Sequence, residues 1–231
     1  MAKTSMSVRA KSKIQLPGPS NRTVVIGRTG SGKSHFGAWL LSTQNFDSMP
    51  WVIIDFKDEH TDIINQIERA IPIGFDTIPD RPGIYILKPM SHESAELEQW
   101  LWKVYYHTNI GLFFDEAFPV GQHNEAFNTI LMQGRSKNIP VIACTQRPVG
   151  ISVYCFSEAS YYMIFDLTKK GDRIKVSQEI GEISSRYNLP DYHSYYYDVK
   201  NKYLDKLGPA PDEKLILAKI DVKIPVQRRT L

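Results

Sequence analysis

The sequence predicts an α/β domain built on a mostly parallel sheet with helices on both faces. Short, wholly apolar runs alternate with helical patterns along the chain, the mark of strands buried on both faces. A glycine-rich segment joins the first such run to the first helix, and two further runs end in charged residues, where α/β sheets place their chemistry. With 231 residues, 42% of them hydrophobic and 23% charged, the chain suits one globular domain. No apolar run approaches the roughly 18 residues that a membrane span needs.

The elements follow in order. Residues 23–27 (TVVIG) read as a buried strand and 34–41 as the helix after it. Residues 51–55 (WVIID) are a second strand, and 62–70 have a helical pattern. A third strand spans 83–87 (GIYIL) and a helix 93–106. A fourth strand spans 110–115 (IGLFFD) and a helix 124–134. The fifth strand, 139–145 (IPVIACT), carries Pro140 near its start, where a missing donor is tolerated. The sixth is 161–165 (YYMIF). Beyond Lys169 the pattern weakens to a helix over 172–180 and a strand or hairpin over 192–199. Domain boundaries are expected at 1–21 for a basic arm, 22–205 for the α/β domain and 206–231 for a C-terminal extension. The breaker cluster Leu16-Pro-Gly-Pro-Ser20 separates the arm from the body.

The net charge of +3 divides unevenly. Residues 1–22 carry Lys3, Arg9, Lys11, Lys13 and Arg22 and no acid, so the rest has a small excess of the chain's 25 acidic residues. The arm reads either as a solvated leader or as a contact for phosphate. Cys144 and Cys155 exclude a disulfide scaffold or a zinc ribbon and fit a reducing compartment. Cys144, in an apolar run, reads as a small core residue.

The strongest motif is Gly27-Arg28-Thr29-Gly30-Ser31-Gly32-Lys33-Ser34, followed by His35. It matches G-x-x-x-x-G-K-[ST] between a strand and a helix. Its glycines let successive N–H groups face an anion, and the helix N-terminus adds partial positive charge. Residues 27–35 are therefore the expected nucleotide contacts, making the fold a P-loop NTPase. Lys33 is expected to reach the β- and γ-phosphates, and the Ser34 hydroxyl to bind Mg2+. The motif does not choose between ATP and GTP. Leu112-Phe-Phe-Asp115-Glu116 supplies a second site: Asp115 is placed for the Mg2+ shell, and Glu116 to polarise an attacking water as general base. Thr145-Gln146-Arg147-Pro148 ends the fifth strand. If that strand lies beside the first, Gln146 points at the γ-phosphate.

Together these motifs resemble the FtsK/HerA family of DNA-pumping ATPases. The phosphate loop, the strand end Asp55-Phe56-Lys57 (similar to the family's Asp-Pro-Lys), the Asp115-Glu116 pair, Gly134-Arg135 and Thr-Gln-Arg-Pro occur in family order over roughly residues 22–170. Phe56 departs from the family's proline. A motor of this size is similar to the genome-packaging ATPases of tailless viruses and of bacteriophages with an internal membrane. The resemblance implies ATP and Mg2+ as cofactors, double-stranded DNA as substrate and a homo-oligomeric, hexameric ring. It also implies capsid vertex proteins as partners, and location at the packaging vertex of a virion and in the host cytoplasm. Arg135 is the first candidate to reach a neighbour's γ-phosphate, with Arg147 and Arg173 behind it. Glu59, near the carboxyl edge, reads as a supporting residue only.

DNA-gripping candidates are Lys88-Pro-Met-Ser-His92 and Lys169-Lys170-Gly-Asp-Arg173. Tyr195, Tyr196 and Tyr197 read better as a strand packed on the body than as a base-stacking surface. Two other classes share the phosphate loop: assembly or secretion ATPases similar to the zonula occludens toxin-like proteins, which usually carry a membrane span, and small-substrate kinases, which need an arginine-rich lid.

Overall fold

The computed structural model describes residues 14, 15, 17, 18, 21–181 and 189–225. Its elements run β1 (Arg22–Ile26), α1 (Lys33–Ser42), β2 (Pro50–Ile54), β3 (Ile71–Ile73), β4 (Gly83–Leu87), α2 (Ser94–His107), β5 (Gly111–Phe114), α3 (Glu125–Gln133), β6 (Val141–Thr145), α4 (Tyr154–Ser157), β7 (Tyr161–Ile164), α5 (Lys170–Ile180), β8 (Ser194–Asp198), β9 (Tyr203–Leu207) and α6 (Glu213–Lys223). The described strands form one sheet in the order β3-β4-β2-β5-β6-β1-β7-β8-β9. Every pairing from β3 to β7 is parallel, and β8 and β9 add an antiparallel edge.

Alternation along each strand divides the core between the two faces. Val24, Ile26, Val52, Ile54, Leu112 and Phe114 pack with the apolar sides of α2 and α3, led by Trp100 and Phe127. Val25, Trp51, Ile53, Phe113 and Cys144 pack on the other face with Phe36 and Leu40 of α1 and with Ile216 and Ile220 of α6. Two glycines permit this closeness. A Cβ on Gly111 would lie 2.3 Å from the Trp51 ring, and one on Gly37 would lie 2.7 Å from Cys144 Sγ. Both cysteines are buried and free, and burial pushes the Cys155 thiol up to about 12.

The tyrosine run is β8, with Tyr195 and Tyr196 buried and Tyr196 stacked beside Tyr161. This agrees with a strand packed on the body.

Several sequence expectations change. The helix expected over 62–70 is a short 3-10 turn, Ile63–Gln66, followed by edge strand β3. Pro72 holds Ile71 in an extended conformation, and its missing donor is harmless on an edge. Ile63, Ile64 and Ile67 still pack under α1 and α6. The extension expected at 206–231 begins inside β9, and its 213–223 stretch is α6, packed on α1. Lys223 Nζ donates to the Ser42 and Gln44 carbonyls at 2.9 Å, and Arg69 donates to the Asp221 and Pro225 carbonyls.

Arg22 does not belong to a solvated arm. It is buried in β1, its guanidinium donates to the Ile130 carbonyl at 3.2 Å, and burial and nearby Arg135 lower its pKa. The Pro17 carbonyl accepts from Gln44, and that of Gln15 from Tyr196, so Pro17 of the breaker and Gln15 of the expected arm lie against the body. Lys3, Arg9, Lys11 and Lys13 lie outside the described residues, as do Arg228 and Arg229 at the other end.

The burial of Ile220 makes α6 integral to the domain. Ile220→Ala is expected to lower stability by roughly 2–5 kcal/mol, measured as a shift of the urea midpoint at unchanged slope. A change under 0.5 kcal/mol, the ordinary scale of a surface substitution, would mean that α6 is only an appendage.

Candidate active site

The sheet order places the three motif loops side by side. β6 lies between β1 and β5, so the phosphate loop, the Thr145-Gln146 end and the Asp115-Glu116 end leave adjacent strands at one edge. Backbone bonds fix their heights: Gly27 N donates to the Thr145 carbonyl at 3.1 Å, and Ala117 N to the Cys144 carbonyl at 2.8 Å.

Within the phosphate loop, Gly30 and Gly32 stand at φ +76° and +91°, where glycine carries little strain. A Cβ on Gly27 would lie 2.5 Å from Ser31 Oγ. The N–H groups of Gly27, Arg28 and Ser31 are taken by Thr145, Asp166 and Arg28 carbonyls. Those of Thr29, Gly30, Gly32, Lys33, Ser34 and His35 have no backbone partner among the described residues. These six donors line the loop and the first turn of α1, an anion-binding arrangement.

Gly27 and Arg28 therefore shape the loop through the sheet. The Arg28 side chain pairs with Asp166 at 3.0 Å, and His35 Nε2 lies 2.7 Å from the Pro211 carbonyl. Lys33 is 5% exposed. A cavity of about 650 Å3 opens here, lined among others by Gly30, Lys33, Ser34, Glu116, Gln146 and Tyr192.

Asp115 is wholly buried. One carboxylate oxygen accepts from Lys57 Nζ, which lies 3.4 Å from Ser34 Oγ and 3.8 Å from Asp62. The other carboxylate oxygen, Oδ1, is buried with no partner among the described residues. Burial opposes the Lys57 charge, but Asp115, as ion pair and hydrogen-bond acceptor, outweighs it and raises the pKa. Burial and the Asp115 charge raise Asp62.

Ser34 and Asp115, the pair expected to hold Mg2+, thus converge on one point that carries positive charge. Their hard oxygens suit that ion. Among the described residues no three His, Cys, Asp or Glu side chains could hold a metal by themselves. A Mg2+ bound by one carboxylate and substrate phosphates needs no such cluster.

Glu116 is 4% exposed. Its carboxylate accepts from the backbone N–H of Gln146 at 3.1 Å and of Phe118 at 3.3 Å. The Gln146 side chain reaches across to the Thr29 hydroxyl. Gln146 therefore joins the phosphate loop to Glu116 through its backbone and side chain together.

The other expected residues scatter. Arg135 follows α3 and lies 3.4 Å from Ser160 Oγ, just before β7, at the opposite edge of the sheet from the phosphate loop. Arg147 lies over the Phe118 ring at 5.9 Å and lines a second cavity beside Arg28 and Lys169. Arg173 donates to the Leu167 carbonyl within the first turns of α5, so the expected basic turn 169–173 is largely helical. Lys88 pairs with Asp58. Glu59 lines the cavity at the phosphate loop. Asp55 is a turn-former, accepting from Lys57 N and Asp58 N, and from Asn65 at 2.9 Å.

The residues that motif reasoning undervalued are Lys57, Asp166 and Tyr192. Lys57 and Asp166 each sit just past a strand's carboxyl end, and Lys57 also stands in the Asp55-Phe56-Lys57 motif.

The chain is 32% identical over 219 residues to the DNA packaging ATPase P9 of Enterobacteria phage PRD1, spanning 90% of this chain and 96% of that protein. The chain belongs to this family of viral DNA-packaging ATPases. No protein-family model matches it. Its fold is shared with the genome packaging NTPase B204 of Sulfolobus turreted icosahedral virus 2, solved with AMPPCP (TM-score 0.66, 19% identity, 84% of this chain and 100% of that one). VirB4 of Thermoanaerobacter pseudethanolicus also shares it (TM-score 0.63, 9% identity, 83% and 89%). The motifs therefore stand in a packaging ATPase, as their combination implied, and no described helix is long and apolar enough to cross a membrane.

Lys57 offsets a fully buried carboxylate. Lys57→Met is expected to destabilise the metal- and nucleotide-free protein by about 3 kcal/mol, the lower end for breaking a buried pair, in urea melts. No change would mean that Asp115 is neutralised in another way.

Proposed function

We propose that the chain is the ATP-hydrolysing motor that drives double-stranded DNA into a preformed viral capsid. The observation that carries this reading is the joining of three loops at one sheet edge, with Gln146 bonded both to Glu116 and to Thr29 of the phosphate loop. The free N–H groups of residues 29, 30 and 32–35 would cradle the phosphates, and Lys33 would meet the β- and γ-phosphates. Ser34 and Asp115 would hold Mg2+, which supplies positive charge to the phosphate oxygens. Lys57 stands at that position in this structure and would move aside. Glu116, oriented by two backbone donors, would accept a proton from the attacking water. Gln146 would register whether the γ-phosphate is present.

Arg135 lies too far round the sheet to serve its own phosphate loop, which favours action on a neighbouring subunit in a ring. A hexamer at the capsid vertex, present in the virion and during assembly in the host cytoplasm, suits this. DNA grip would come from loops by backbone contact, hence with weak sequence preference and strong salt dependence.

The test is ATPase rate with and without duplex DNA, together with mass in solution. Stimulation and a ring-sized species are expected; a persistent monomer with no stimulation would overturn the motor reading. Glu116→Gln is expected to bind ATP yet lose about 100-fold or more in turnover, the scale of a catalytic base. Near-normal turnover would remove Glu116 from that role. Mixing Arg135→Ala with Glu116→Gln subunits is expected to restore some turnover. Absence of rescue at every ratio would count against Arg135 acting between subunits.

A further inference from the structure

The nucleotide cavity has two ends. Glu116 and Gln146 mark the end where the γ-phosphate would react. The phosphates, following the free N–H groups from the loop onto the first turn of α1, would run toward Ser34 and His35. His35, Tyr192 and Glu213 line the same cavity, and Tyr192 lies against Gly32, two residues before Ser34. His35 Nε2 is 2.7 Å from the Pro211 carbonyl, so the N-terminus of α1 is tied to the segment leading into α6.

Tyr192 is placed unusually. It is 57% exposed, yet its ring lies against the loop: a Cβ on Gly32 would be 3.0 Å from Tyr192 Cδ1. Its φ is +61°, a left-handed conformation that is uncommon for a bulky residue and costs free energy. The turn is closed by His193 N donating to the Pro190 carbonyl at 3.1 Å. An exposed aromatic ring held at backbone cost over the phosphate loop is not explained by core packing. It places a largely exposed aromatic side chain on the lining of the cavity, beside the phosphate loop.

We propose that Tyr192 is the platform on which the purine base of the bound nucleoside triphosphate stacks. This rests on the phosphate-loop reading and adds the base subsite to it. Glycine at position 32 then has two roles, the left-handed turn and room for the tyrosine. Because every base offers a π-face, this platform would tolerate ATP and GTP alike, in keeping with a loop motif that does not choose between them.

The experiment compares ATP with inorganic tripolyphosphate by titration calorimetry on the full-length protein, Tyr192→Ala and Tyr192→Phe, each checked for an unchanged melting temperature. Tyr192→Ala is expected to weaken ATP about 10- to 100-fold, the range of a lost base–aromatic stack, while tripolyphosphate binding stays within twofold. Tyr192→Phe, which keeps the ring, is expected to retain ATP affinity. The fluorescence of 2-aminopurine riboside triphosphate is expected to be quenched on binding to the wild-type chain and not to Tyr192→Ala.

Equal weakening of both ligands would assign Tyr192 to loop packing and overturn the proposal, as would unchanged ATP affinity. Lys33→Ala reads the underlying site separately: unchanged tripolyphosphate binding in that variant would overturn the phosphate-loop reading itself.

Discussion

A carboxylate with no access to water must have positive charge beside it, and Asp115 imposes that condition on the whole site. Lys57 meets it only because the end of β2 is folded by Asp55, whose carboxylate accepts the backbone N–H groups of Lys57 and Asp58. β2 in turn lies beside β5 in parallel register, with Ile54 opposite Phe114. The ammonium group so placed also approaches Ser34, the first-turn hydroxyl of α1. One buried charge thus links the ends of β2 and β5 to the start of α1.

β6 performs the complementary task. Its carbonyls receive the N–H groups of Gly27 on one side and Ala117 on the other, so neither flanking loop can shift along its strand without losing a bond. Gln146, the next residue out, makes side-chain and backbone contacts in the same two directions. Position in the sheet therefore converts an ordinary polar side chain into a link between the Gly27–Ser34 loop and the carboxylate proposed to activate water.

Much of this was legible in the chain. Wholly apolar runs located β1, β2, β4, β5, β6 and β7, because a strand covered on both faces has no polar alternation to confuse the reading. The phosphate loop and the Asp115-Glu116 pair are local motifs and needed no tertiary information. The helix at 62–70 failed because its isoleucines suit any buried turn, while Pro72 favoured an edge strand. α6 is hard to read in the chain because its lysines mask two core isoleucines, and Arg22 looks like part of the arm because burial of a charged residue depends on a carbonyl 108 residues away. Lys57 was visible as part of Asp55-Phe56-Lys57, but its partner on β5 was not, since strand order is a property of the sheet.

The position of Arg135 bears on assembly symmetry. It stands at the amino edge of the strands, whereas the phosphate loop stands at the carboxyl edge. The proposed contact between one molecule's arginine and another's loop would therefore join unlike surfaces. Such a heterologous interface repeats head to tail, and it produces either a closed ring or an open helix according to the rotation between neighbours. A few degrees of subunit orientation would then separate a machine encircling its polymer from an endless filament.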